Sequence, residues 1–164
     1  YLNTFSRALA PSLRISYLVL PPTLLDRYHQ RLGFYSSTVP ALEQYTLASF
    51  LSEGRFEQHL SRARTRYRAL RDQVLEALEA SGLAGRAQIS GADAGLHFLV
   101  RLETERGDQE LTQLARARGI RLSFLSEFCA SPGPEHQHFL VISYPGIQME
   151  RLPQTLRELA ALLH

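Results

Sequence analysis

The chain has 164 residues, 45% of them hydrophobic, and its 18 cationic side chains against 16 acids leave a net charge of +2. That length carries one core or two small lobes, the near balance of charge singles out neither nucleic acid, membrane surface nor acidic substrates, and no apolar run approaches the roughly 20 residues that cross a bilayer. All 18 cations are arginine; guanidinium stays protonated and is a poor nucleophile, so no lysine amine is present to form a Schiff base with a carbonyl compound.

The chain opens at Tyr1, without methionine, directly on strand-like sequence, which reads as a fragment of a longer protein. Residues 14–20, Arg-Ile-Ser-Tyr-Leu-Val-Leu, predict a buried strand that Pro21-Pro22 stops. Thr23 is expected to cap a helix carrying Leu24, Leu25, Tyr28 and Leu32, with Gly33 at its end. A second helix is predicted from near Thr38 to Gly54, with Pro40 close to its first position, where the missing N–H costs little. In the third, Phe56, Leu60, Ala63, Tyr67, Leu70, Val74 and Leu78 recur in steps of four and three, one continuous apolar stripe from about 56 to 80.

After Gly82 long helices give way to short strands, so a boundary is placed there: 1–82, and 83–164 as a small α+β lobe with a mainly antiparallel sheet. Strands are expected at Ile89 and from Leu96 to Leu102. Asp108 is expected to cap a helix that closes at Gly119. Ile120, Leu122 and Phe124 alternate as a half-buried strand, Ser126 to Gln137 form a loop, Phe139 to Tyr144 make a last strand, and Met149, Leu152, Leu156, Leu159 and Leu163 line a terminal helix. The helices are expected to cover one face of the sheet.

Few side chains outside the first segment carry a chemical signal. The arginines of the long helix do not form one basic face: Arg64, Arg68 and Arg71 sit on one flank of the apolar stripe, while Arg62 and Arg66 lie nearly opposite. With Glu57, Asp72, Glu76 and Glu79 nearby they read as a solvated or interface face and not as a groove-binding helix. His136-x-His138 could set two imidazoles on one side of a strand, but no third ligand is spaced to complete a metal site. His97 reads as a hydrogen-bonded core residue, and Cys129, the single cysteine, as an inert thiol in a reducing compartment. A soluble cytoplasmic protein is the expectation, since the N-terminus shows no basic region followed by an apolar stretch.

The sharpest segment is Thr4-Phe5-Ser6-Arg7-Ala8-Leu9-Ala10-Pro11-Ser12-Leu13-Arg14-Ile15-Ser16-Tyr17. It resembles the cofactor-lysine motif of the fold type I pyridoxal-phosphate enzymes and, more closely, that of the MocR-type transcriptional regulators of the GntR family. There Thr-Phe-Ser-Lys is followed by a short spacer, Pro, Arg and a Gly/Ser-Tyr ending. Thr4, Phe5, Ser6, Pro11, Leu13, Arg14, Ser16 and Tyr17 match in place. Gly54-x-Phe56-x-x-His59-Leu60-x-Arg62-x-Arg64-x-x-Tyr67-x-x-x-Arg71-Asp72 is similar to the same regulators' signature helix, Ala94-Gly95-Leu96-His97 to their small-domain strand, and Leu122-Ser123 with Phe128-Cys129 to a further stretch.

The resemblance covers essentially the whole chain. It implies an α/β fold, the C-terminal part of a fold type I aminotransferase-like domain in which 1–82 ends the large cofactor-binding part. It implies pyridoxal phosphate as cofactor, with Thr4, Ser6, Arg7 and Arg14 as the cofactor-binding residues and no catalytic or metal-ligating residue. It also raises ligand contact at His97. Two departures bear on function. Arg7 stands at the lysine position, natural or engineered, so covalent attachment of the cofactor is excluded. The run Val141-Ile142-Ser143-Tyr144 lacks the arginine that holds the substrate carboxylate in aminotransferases of this fold.

The implied function is an effector-sensing domain that takes pyridoxal phosphate or an amine adduct of it. DNA would be bound only through a separate winged helix upstream, and a homodimer is the expected assembly. An aminotransferase that has lost its lysine is one alternative. A dimerisation module, built on the amphipathic helices from 38 to 80, is the other.

Overall fold

The computed structural model describes residues 1–163, which divide into two compact units, Tyr1–Ala63 and the chain from Arg64 onward. In the first, strands β1 (Leu2–Thr4) and β2 (Ser16–Leu18) pair antiparallel with Leu2 opposite Leu18 and Thr4 opposite Ser16. β2 is shorter than the predicted 14–20 strand, and its three residues are exposed. Arg14 is left-handed (φ 52°) after a 3-10 turn at Pro11–Leu13, which ends extended backbone on that side. Among the described residues this two-stranded ribbon has no third strand paired to it. Only Ile15 of this segment's apolar residues is buried.

Helix α1 (Pro22–Leu32) begins one residue before the expected cap. Pro21 occupies the cap position and Pro22 the first turn, where an absent N–H is not missed, so Thr23 lies inside the helix. Pro40 likewise precedes α2 (Ala41–Ser52), and its carbonyl accepts the first helical bond from the Gln44 N–H at 3.1 Å. Helix α3 (Arg55–Glu79) crosses the division between the units. Its 25 residues contain neither Gly nor Pro, so nothing in its interior breaks the hydrogen-bond ladder. The stripe read from the sequence is its least exposed side, half-buried from Phe56 through Leu70 and fully buried at Val74 and Leu78.

The second unit is a three-stranded antiparallel sheet in the order β3 (Ala87–Ser90), β4 (His97–Leu102), β5 (Phe139–Ser143), with α4 (Asp108–Ala117) and α5 (Leu152–Leu162). Alternation along β4 sends Phe98, Val100 and Leu102 inward. They join Val74 and Leu78 of α3, Leu111 and Ala115 of α4, and Leu152, Leu156, Leu159 and Leu162 of α5 in one core. Each large apolar side chain so buried is worth about 1.5–3 kcal/mol.

Two local expectations fail here. Residues 120–124 keep the alternating burial but form no strand, because only Phe124 pairs with β5, at Leu140. Asp108 is the first residue of α4 and Gly107 its cap. The Asp108 carboxylate is spent elsewhere: Oδ2 accepts from the Ser126 hydroxyl at 2.5 Å and Oδ1 from the His138 N–H at 2.8 Å. It thereby ties together both ends of the 126–137 loop, which contains 3-10 turns at Leu125–Phe128 and Pro134–His136.

Candidate functional site

The loop joining β1 to β2 is closed at its neck by one carbonyl. Ile15 O accepts from the Phe5 N–H at 2.9 Å and from the Thr4 hydroxyl at 3.0 Å. The same Thr4 oxygen accepts the Ser6 N–H at 3.2 Å, and a turn follows as the Ala8 and Leu9 N–H groups donate to Phe5 O. The Phe5 ring packs against Tyr17 (centroids 5.1 Å apart) and edge-on to Phe56 of α3 (5.8 Å), and His59 of α3 donates from Nε2–H to Ala8 O at 3.0 Å. The Tyr17 phenol titrates above its ordinary value, chiefly because of its hydrogen bond with Tyr1.

Each of the four residues picked from the sequence lies on this loop or its rim. Thr4 is half-buried, with its proton committed to Ile15 O. Ser6 is 8% exposed and its hydroxyl has no partner. Arg7 and Arg14 are exposed, and among the described residues no hydrogen bond or ion pair engages either guanidinium. Two features of this loop carry a cost. A buried hydroxyl without a partner forfeits about 1–3 kcal/mol, and a left-handed non-glycine residue such as Arg14 costs roughly 1–2 kcal/mol. Strain and unpaired polar groups of this kind gather at ligand sites.

Other residues singled out in the sequence fall elsewhere. His97 is exposed at the start of β4 and not in the core, since the inward turn of Phe98 sends its neighbour outward. His136 ends a 3-10 turn, where its Nδ1 accepts the Gly133 N–H at 3.0 Å, and His138 is left-handed (φ 66°), so the pair does not share the face of a strand. The Cys129 thiol donates to Leu125 O at 3.5 Å. Two buried side chains make hydrogen bonds that the sequence reading missed. One is Asp108, taken for a cap. The other is Tyr144, buried, with its hydroxyl donating to Gly95 O. In the sequence it stands at the end of the apolar run from Phe139 to Ile142.

The model of the family described as aminotransferase class I and II matches residues 1–159. The chain belongs to that family. Within the aminotransferase class I and II family it is 38% identical over 122 residues to the HTH-type transcriptional regulator YdeL of Bacillus subtilis, covering 74% of this chain and 26% of that protein. It is 36% identical over 159 residues to the "Probable rhizopine catabolism regulatory protein MocR" of Rhizobium meliloti, covering 96% of this chain and 31% of that protein. The chain therefore spans about a third or less of these regulators' length. The crystal structure of the α-aminoadipate aminotransferase LysN from Thermus thermophilus, complexed with N-(5'-phosphopyridoxyl)-L-leucine, superimposes with a TM-score of 0.78 at 25% identity, covering 99% of this chain and 41% of that one. The expected aminotransferase-like α/β fold is thus the fold observed.

Proposed function

We propose that the chain is part of the effector-sensing, aminotransferase-like domain of a MocR-type regulator, and that it binds pyridoxal phosphate or an amine adduct of it without a covalent bond. The observation that carries this reading is the buried, unpartnered Ser6 hydroxyl on the same loop as the strained and unengaged Arg14, within the segment that matches the family's cofactor motif. Pyridoxal phosphate supplies a phosphate dianion and an aldehyde reactive toward amines. Toward that dianion the Ser6 hydroxyl has a proton to donate, and the Arg14 guanidinium a fork suited to two phosphate oxygens at once.

Thr4 serves differently. Its proton is held by Ile15 O and its oxygen accepts the Ser6 N–H, so its part is to fix the loop. Arg7 adds positive charge at the exposed rim and, as a guanidinium, forms no bond to the aldehyde. Sensing in this reading is a difference in affinity between two arrangements of the protein. DNA contact belongs to a separate domain, the assembly is a homodimer, and the compartment is the cytoplasm. Among the described residues no helix is long and apolar enough to cross a membrane.

The test is titration of the chain with pyridoxal phosphate, followed by absorbance and then dialysis. Saturable binding that dialysis reverses is expected, about tenfold weaker in Arg14→Ala and in Ser6→Ala, the loss typical of a charge-assisted contact. Binding that neither substitution alters would overturn the assignment. The likeness to LysN favours a second reading, an aminotransferase whose lysine has been replaced. Rapid amino-group transfer to a keto acid by Arg7→Lys in the full-length protein would decide for the enzyme; retained binding with little turnover would decide for the sensor.

A further inference from the structure

The flank of α3 that carries Arg64, Arg68 and Arg71 lines a cleft of about 280 Å³ together with the loop residues from Ala92 to Leu96. That loop is fastened at both ends. The Arg71 Nη1–H donates to Ala92 O at 3.2 Å, and the buried Tyr144 hydroxyl donates to Gly95 O. Arg71 is already compensated, since its Nε and Nη2 both donate to Asp72 Oδ1 at 2.9 and 2.7 Å.

Arg64 and Arg68 are different. They stand one helical turn apart, where side chains are neighbours at about 5–6 Å between Cβ atoms, and no hydrogen bond or ion pair among the described residues engages either. Among the described residues Asp93 is the one carboxylate lining the cleft. Two uncompensated cations against one acid leave the cleft net positive. Its volume, near the lower end of the about 300–1,000 Å³ usual for ligand sites, admits only a compact molecule.

We propose that Arg64 and Arg68 bind a compact oxyanion in this cleft, the phosphate or carboxylate group of a small metabolite, at a site distinct in sequence from the Thr4–Arg14 loop. Two guanidinium forks on adjacent turns give an oxyanion several charge-assisted donors at once. Arg71 and Tyr144 are positioning residues, holding the loop that makes the helix flank concave. A nucleic-acid backbone is the poorer fit, because Arg62 and Arg66 lie nearly opposite on the helix and a groove-binding helix presents one coherent basic face.

The test is calorimetric titration with inorganic phosphate and, separately, with glutarate at low ionic strength. An Arg14→Ala background keeps anion uptake by the first loop from counting, and separates failure here from failure of the cofactor reading. Saturable binding of either anion is expected, and the tighter of the two identifies the headgroup. Arg64→Gln and Arg68→Gln should each weaken it about tenfold, the loss of one charge-assisted pair. Asp93→Asn should tighten it, and Arg62→Gln with Arg66→Gln should leave it within about twofold, since these side chains face away. The idea is overturned if neither anion saturates, if the Arg62/Arg66 variant loses as much as the Arg64 and Arg68 variants, or if Asp93→Asn weakens binding. All these substitutions are on exposed or half-exposed side chains, and an unchanged circular dichroism spectrum verifies that each variant folds.

Discussion

The two units are built on the same apolar supply and spend it differently. Every fully buried apolar side chain of the described residues except Ile15 belongs to the unit that starts at Arg64. The first unit leaves Leu24, Leu25, Tyr28 and Leu32 of α1 exposed along one side, although their spacing is that of a core-facing helix. The three-stranded sheet with α3, α4 and α5 completes a core from residues spread over Val74 to Leu163. In the first unit the described residues supply a two-stranded ribbon and helices, with no further layer against which to bury either element. The same unit that is poor in core carries the candidate cofactor loop, with its unpaired Ser6 hydroxyl and strained Arg14.

The difference can be broken most directly by truncating the core of the second unit. Phe98→Ala, at a residue 1% exposed, should cost about 3–5 kcal/mol in urea denaturation, whereas Leu25→Ala, at a residue 44% exposed, should stay within about 0.5 kcal/mol. An equal loss from both would mean that α1 is packed as tightly as β4. Asp108→Ala should cost about 2 kcal/mol, since it abandons the Ser126 hydroxyl and the His138 N–H together. Its effect should appear as faster hydrogen exchange at 126–138, and none at β1 and β2.

Gly119→Ala, at φ 75° after α4, should cost about 1 kcal/mol through backbone strain alone, as nothing lies within 4 Å of the added methyl. The smallest expected effect lies at the end of α2. Glu53 titrates below the usual carboxylate value, first because the Ser49 hydroxyl donates to it at 2.6 Å and then because Arg55 is beside it. A lowered folded-state value means that its contribution is present above the ordinary carboxylate range and is lost as pH falls through the lower, folded value. NMR titration of Glu53 should show its midpoint rise in Ser49→Ala, with almost no change in global stability, because the pair is at the surface.

Much of the architecture was legible from the sequence because it rests on short-range pattern. The stripe from Phe56 to Leu78, the alternation in β4 and the leucines of α5 each encode a period of 3.6 or 2, and each became an element close to its predicted bounds. The misreadings share a cause. Thr23 and Asp108 have the side chains of caps, yet backbone geometry gave those positions to Pro21 and Gly107, and a distant partner claimed Asp108. The apolar run at 14–20 carries strand composition, but whether a strand is buried depends on neighbours that its own sequence does not name.

The absence of lysine, the matching residues from Thr4 to Tyr17 and the split of the α3 arginines to opposite sides are properties of the sequence itself. They depend on residue identity and helical geometry, and no folding changes them. Which side chains have partners was settled only by tertiary structure. It occupied the Thr4 proton and left Ser6 without a partner, compensated Arg71 while leaving Arg64 and Arg68 open, and drew Tyr144 to Gly95 across the end of the sheet. Hydrogen bonds and charge pairs of this kind join residues far apart in the chain, so their formation is a property of packing and not of any local segment.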